Sequence, residues 1–198
     1  MHKVEPLLPG NFYHIYNPGV VNRGLFREPE KYDYFFDLYD KYIRPIAETV
    51  AWVLMKNQFH LLGRIKEEVE EVEAATPDSI QNPVRGHVPS LQFSTLFNSY
   101  AQAVNKRFSL HAALFEYPFK RKRIHHPAYL KNAVFFIPNN LVHPGFCSHP
   151  LAYSWRRYLT CISLKPTRLR RDTVLGWFNL EANFKHRHNN KVDIEQIE

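Results

Sequence analysis

The chain is poor in sulfur and has no long apolar run. Its 198 residues include two cysteines, Cys147 and Cys161. That is too few for a disulfide framework, and their spacing does not suit a close-spaced metal knuckle, so both are expected to be reduced structural thiols. No stretch approaches the roughly 20 apolar residues of a membrane-spanning helix. Met1-His2-Lys3-Val4-Glu5-Pro6 lacks the apolar core of a signal peptide. The expected location is the cytoplasm, with no membrane partner. Acidic residues are in deficit as well: 19 Asp and Glu face 26 Lys and Arg, a formal charge of +7, which favours polyanions such as nucleic acid. Internal repeats and low-complexity tracts are missing. Core material is plentiful, at 44% hydrophobic and 15% aromatic residues, enough for one globular domain and too much for overall disorder.

Periodicity divides the chain into strands and helices. Residues 11–17 are aromatic and β-branched and end at Pro18-Gly19, which marks a strand. Tyr32, Phe35, Phe36, Tyr39, Ile43 and Ile46 recur at helical spacing over residues 30–46, a stripe that burial explains. Residues 49–55 and 59–65 form a hairpin around Lys56-Asn57-Gln58. Residues 66–90 turn Glu-rich and then Pro-, Asp- and Asn-bearing, and read as a mobile loop within the domain. A helix follows from Ser90, a candidate N-cap, to Phe108. A fourth strand covers residues 120–124, then a helix runs over 128–140 with an interruption at Pro138, and another helix covers 173–185. This order predicts an α+β domain, a ferredoxin-like antiparallel sheet with helices on one face, over residues 1–160. Residues 161–198 are expected to add a positively charged helical appendage.

Two short blocks carry the groups of chemical interest. Side chains alternate along a strand, so Gln58 and His60 share a face; four residues make one helical turn, so Phe136 and Asn140 share another. Lys120-Arg121-Lys122-Arg123 is a run of cations beside His125-His126, suited to phosphate. In a strand Lys120 and Lys122 face one side and Arg121 and Arg123 the other, so one pair is enough to touch a nucleic acid. His186 and His188, two apart on a helix, diverge and do not converge on one ion.

In their order and spacing these blocks resemble the REP-associated tyrosine transposases and related insertion-sequence transposases of the single-tyrosine HUH superfamily. The resemblance rests on Tyr13-His14-Ile15-Tyr16-Asn17-Pro18-Gly19, Asn22-Arg23-Gly24-Leu25-Phe26 and Met55-Lys56-Asn57-Gln58-Phe59-His60-Leu61-Leu62. It continues through Ser99-Tyr100-Ala101, Asn105-Lys106-Arg107-Phe108, Phe119-Lys120-Arg121-Lys122, Phe136-Ile137-Pro138-Asn139-Asn140-Leu141-Val142 and Ala152-Tyr153-Ser154-Trp155. It implies a ferredoxin-like core and a DNA ligand, a hairpin or single strand, contacted through Arg23, Lys106, Arg107, Lys120, Arg121, Lys122 and Arg123. It also implies a divalent cation, Mg²⁺ or Mn²⁺, held by the residues at Gln58, His60 and Asn140, which polarises the scissile phosphate while a tyrosine at position 136 attacks.

The chain departs from that pattern where the chemistry sits. Gln58 stands for the first His of the metal motif and offers an amide oxygen at best, which weakens the site. Phe136 stands for the nucleophilic Tyr and has no oxygen with which to form a phosphoester. Pro138 stands for a His, Leu141 for a Pro and Lys56 for another Pro. Tyr100 and Tyr129 are poorly placed to replace the nucleophile, and Tyr117, before a proline, is the remaining substitute. The expected function is DNA binding with strand transfer impaired or lost. The rivals are an active metal-dependent nickase of single-stranded DNA and an RNA-binding module, the latter without its usual aromatic-basic signature. A homodimer stays open.

Overall fold

Four strands pair into one antiparallel sheet in the order β2-β3-β1-β4: β1 (Phe12–Pro18), β2 (Ala47–Met55), β3 (Gln58–Ile65) and β4 (Lys120–Ile124). Helix α1 (Pro29–Tyr42) joins β1 to β2 and helix α2 (His87–Arg107) lies between β3 and β4. That is the ferredoxin-like arrangement the element order predicts. Helices α3 (Pro127–Asn139) and α4 (Arg171–Gly176) follow. The computed structural model describes residues 4–20, 25, 26, 28–55, 57–67, 87–139, 169–179, 182–184 and 186; at 87, 135, 136, 138 and 139 it describes the backbone alone.

Alternation along the strands gives the sheet two unlike faces. Tyr13 and Ile15 of β1, Phe59 and Leu61 of β3, and Trp52 and Leu54 of β2 share one face by register, and all are buried. Over them α1 and α2 lay Phe35, Phe36, Tyr39, Phe93, Phe97 and Tyr100. Phe59 meets Phe97 at 5.1 Å and Phe35 at 5.7 Å between ring centroids, and Trp52 meets Phe36 at 4.4 Å. Each such ring contributes about 1.5–3 kcal/mol by leaving water. Tyr100 belongs to this core: its hydroxyl donates to the Leu25 carbonyl at 2.7 Å, and burial raises its pKa.

Helix α3 packs against β2, β3 and β4 from the other side. The placement follows from Lys122, whose ammonium lies 5.3 Å from the ring of Tyr129 on α3 and whose strand position pairs with His14, on the opposite parity to Tyr13. So the helices expected on one face are α1 and α2, while α3 covers the second. Proline at its first position starts α3 without loss, since the first turn has no intrahelical acceptor for that N–H.

Several boundaries differ from the sequence expectation. Helix α2 begins at His87, so residues 87–90 are helical, and the earlier part of the expected loop, 68–86, lies outside the described residues. Ser90 is therefore no N-cap: its carbonyl accepts the Ser94 hydroxyl at 3.0 Å, and its own hydroxyl accepts from Arg121 at 2.7 Å. Helix α1 ends at Tyr42, and Ile43 and Ile46 are buried from a turn that continues the stripe. Helix α3 runs through Pro138, which sits in the last turn, where its missing N–H removes a bond at an end that frays anyway. The helix expected over 173–185 is broken, because α4 stops at Gly176 and Asn179 takes a left-handed φ of 63° before helical backbone resumes at 182–184. Leu169 bridges in parallel to Thr49 on the sheet edge, and Val174, Phe178 and Phe184 are buried.

Candidate nucleic-acid interface

The second sheet face is built from the even-numbered residues of β1, β3 and β4. Tyr16 lies between His60 on one side and Lys120 on the other; His14 lies between Leu62 and Lys122. Gln58 opposes Pro18 at the end of the β1–β3 ladder. Gly19 fixes that end: its N–H donates to Asn57 O at 2.6 Å, and a Cβ there would stand 2.7 Å from the same oxygen, so no side chain fits. Asn17, fully buried, ties the strand to the segment before β4 by two bonds to the Glu116 backbone, both 3.0 Å. The face is thus held on rigid backbone from both neighbours of β1.

Two histidines occupy its centre. His14 and His60 are each 8% exposed, with His14 Nε2 and His60 Nδ1 3.0 Å apart. Their ring centroids stand 5.2 Å apart, a separation that accommodates the 3.0 Å contact only when the two nitrogens point nearly at one another. The contact is therefore an N–H···N hydrogen bond between neutral rings. Burial, then His60 and Lys122, hold the pKa of His14 down to about 3, and burial holds His60 down to about 4. The second ring nitrogen of His60, Nε2, is buried with no hydrogen-bond partner among the described residues. Tyr16 stacks parallel on His60, with centroids 5.6 Å and planes 6° apart.

The basic strand divides as its alternation predicts. Lys120 and Lys122 are exposed on the histidine face. Lys120 shares a partly solvated ion pair with Glu116 at 3.2 Å, which is weak and readily exchanged. Arg121 and Arg123 turn to the α1/α2 side, where they are half-buried. The Arg121 guanidinium covers Phe119 at 3.8 Å and donates to Ser90, and Arg123 donates to the Asn11 side chain. Lys106 and Arg107 are exposed at the end of α2, on the far side of the sheet from His60; Arg107 pairs with Glu28 at 3.4 Å. Arg23 and Asn140 lie outside the described residues.

These residues are a poor match to a divalent cation. Among the described residues no group of three His, Cys, Asp or Glu stands close enough to hold a metal. Gln58 shares the face of His60, as alternation predicts, but its amide nitrogen donates to the Met55 sulfur at 3.2 Å. One neutral imidazole and one amide, on a face that bears two ammonium groups, differ from the anionic oxygen set that Mg²⁺ and Mn²⁺ prefer. Phe136 and Pro138 are both in the helical backbone of α3, which lies across this face.

Sequence reasoning placed His60 on the functional face and missed His14 and Tyr16 as members of the site. The signal was present in part. Both lie on the even parity of β1, and the strand order puts β1 beside β3. Only the register, which sets Tyr16 opposite His60, was out of reach. Of the candidate substitute nucleophiles, Tyr117 is 83% exposed and Tyr129 is partly buried against the core.

Fold and site define a class: a ferredoxin-like α+β domain with a histidine and lysine face beneath a third helix. No protein-family model and no curated protein matches the sequence. Among solved structures the chain is similar to a REP-associated tyrosine transposase bound to a REP hairpin, with a TM-score of 0.58, 11% identity, and coverage of 84% of this chain and 88% of that one. At that identity the likeness is one of fold.

Proposed function

We propose that the chain is a DNA-binding protein of transposase-like design that takes hairpin or single-stranded DNA, with strand-transfer chemistry impaired or lost. The observation that carries this reading is one sheet face that holds Gln58, His60, Tyr16, Lys120 and Lys122 beneath α3, the helix whose backbone includes Phe136. The structural relative was captured on a DNA hairpin, which supports the same class of ligand here. Lys120 and Lys122 supply the phosphate contacts on this face, and their attraction is sequence-independent and salt-sensitive. Mg²⁺ or Mn²⁺ binds poorly at Gln58, His60 and Asn140, and Gln58→His improves it by adding an imidazole to the His60 face. Covalent chemistry fails at position 136 because a phenyl ring cannot attack phosphorus.

The test is a denaturing gel with end-labelled hairpin DNA and Mn²⁺. Wild type forms no protein-linked product, and Phe136→Tyr alone gives traces at most, since a misplacement near one ångström can lower a rate about a hundredfold. The triple variant Phe136→Tyr, Gln58→His, Pro138→His is the version expected to regain cleavage. An adduct with wild type overturns the inactive reading and directs attention to Tyr16, stacked on His60, ahead of Tyr117. Equal affinity for an RNA hairpin of the same shape moves the chain to the RNA-binding class.

A further inference from the structure

The His14–His60 pair has no evident value to the fold. Two imidazoles are desolvated for one mutual hydrogen bond, and His60 Nε2 is left buried without a partner among the described residues. An unsatisfied buried polar group of this kind destabilises a protein, whereas a pair of apolar rings of similar shape would be close to neutral. Groups retained against stability point to a ligand. The surroundings select its charge: Lys120 and Lys122 stand on the same face, and the field of Lys122 reaches His14.

We infer that the pair is an anion-binding element, in which His14 Nε2–H donates to His60 Nδ1 and so fixes His60 in the tautomer whose Nε2–H is a donor to a phosphate oxygen. Two observations carry it. The near-linear N–H···N contact ties the state of one nitrogen of His60 to the proton on the other. The orphan Nε2, in a side chain more than nine-tenths buried, shares its sheet face with two ammonium groups. Nε2 is out of contact with water, so a phosphate oxygen reaches it only as the side chains over this face give way; the lost orphan then adds to the binding energy. His60 here acts as a hydrogen-bond donor, with no metal between it and the phosphate. The inference deepens the DNA-binding reading and rests on it for the source of the phosphate alone.

The experiment uses the full chain labelled with ¹⁵N. Long-range ¹H–¹⁵N spectra report the His60 tautomer, first alone, then with inorganic phosphate, then with a DNA hairpin carrying a single-stranded flank. The expected result is a proton on His60 Nε2 whose signals move with both ligands. The double variant His14→Phe/His60→Phe should fold at least as stably as wild type and bind the hairpin about tenfold more weakly. His14→Gln, whose amide N–H can replace the lost donor, should keep both the tautomer and near-wild-type affinity. A bare Nε2 on His60, or a folded double variant with wild-type affinity, overturns the inference while leaving DNA binding intact. If phosphate shifts His60 but no hairpin binds, the anion site stands and the DNA reading falls; if the hairpin binds and neither ligand moves His60, the anion site falls and DNA binding stands.

Discussion

The two faces of the sheet are made by the same strands and obey opposite rules. Toward α1 and α2 the face is aromatic and closed: Phe59 touches Phe35 and Phe97, and the hydroxyl of Tyr100 donates to a carbonyl. Toward α3 it carries two histidines, a half-buried tyrosine and two lysines, and a buried nitrogen without a partner among the described residues. The first face stabilises the domain. The second carries a desolvated histidine pair beside two exposed ammonium groups, the features on which the proposed DNA binding rests.

Breaking the first face should produce the largest effect. Phe59→Ala opens a cavity among three aromatic neighbours and should cost about 3–5 kcal/mol, read from urea denaturation. A loss below that range would mean that the aromatic layer collapses around the gap.

Acid should separate the faces next. His14 and His60 titrate near 3 and 4 when folded and near 6.5 when unfolded, so the unfolded chain takes up protons that the native state refuses. Their contribution is complete above pH 6.5 and is lost as pH falls from there toward 3. Each histidine lowers stability by up to about 1.4 kcal/mol per pH unit within that window. Denaturation at pH 7 and pH 5 measures the drop, and the double Phe variant should remove its histidine component.

The basic strand sharpens the contrast at single-residue scale. Arg121→Ala removes a half-buried guanidinium from Phe119 and Ser90 and should cost about 1–2 kcal/mol of stability. Lys122→Ala, on the exposed side of the same strand, should change stability by less than about 0.5 kcal/mol while weakening DNA binding. Thermal melts beside a hairpin-binding titration give both numbers. Comparable stability losses would erase the division of labour between the two parities.

Much of this was legible in the chain itself. Strand and helix order followed from alternation around Tyr13 and Phe59 and from the helical stripes of Tyr32 and Phe93, because core packing imposes those periods. The shared face of Gln58 and His60, and the split between lysines and arginines in β4, followed from strand parity. Ends were less readable: the start of α2 before Ser90 and the passage of α3 through Pro138 depend on which single hydrogen bonds survive, and tertiary contacts decide that. The break near Asn179 has the same origin, since an αL residue other than glycine is favoured only locally. His14 escaped notice because its importance lies in a diagonal cross-strand contact, which requires the register and not the pattern.

The central claim is that the α3 side of the sheet is the nucleic-acid face, and the salt dependence of hairpin binding tests it most directly. Wild type and Lys120→Ala/Lys122→Ala should be titrated with the same DNA hairpin across a salt series. The double variant should bind more weakly, with a slope of log affinity against log salt shallower by about 1.4–1.8, since each lost phosphate contact removes roughly 0.7–0.9. An unchanged slope and affinity in a folded double variant would contradict the account and place the DNA elsewhere on the molecule.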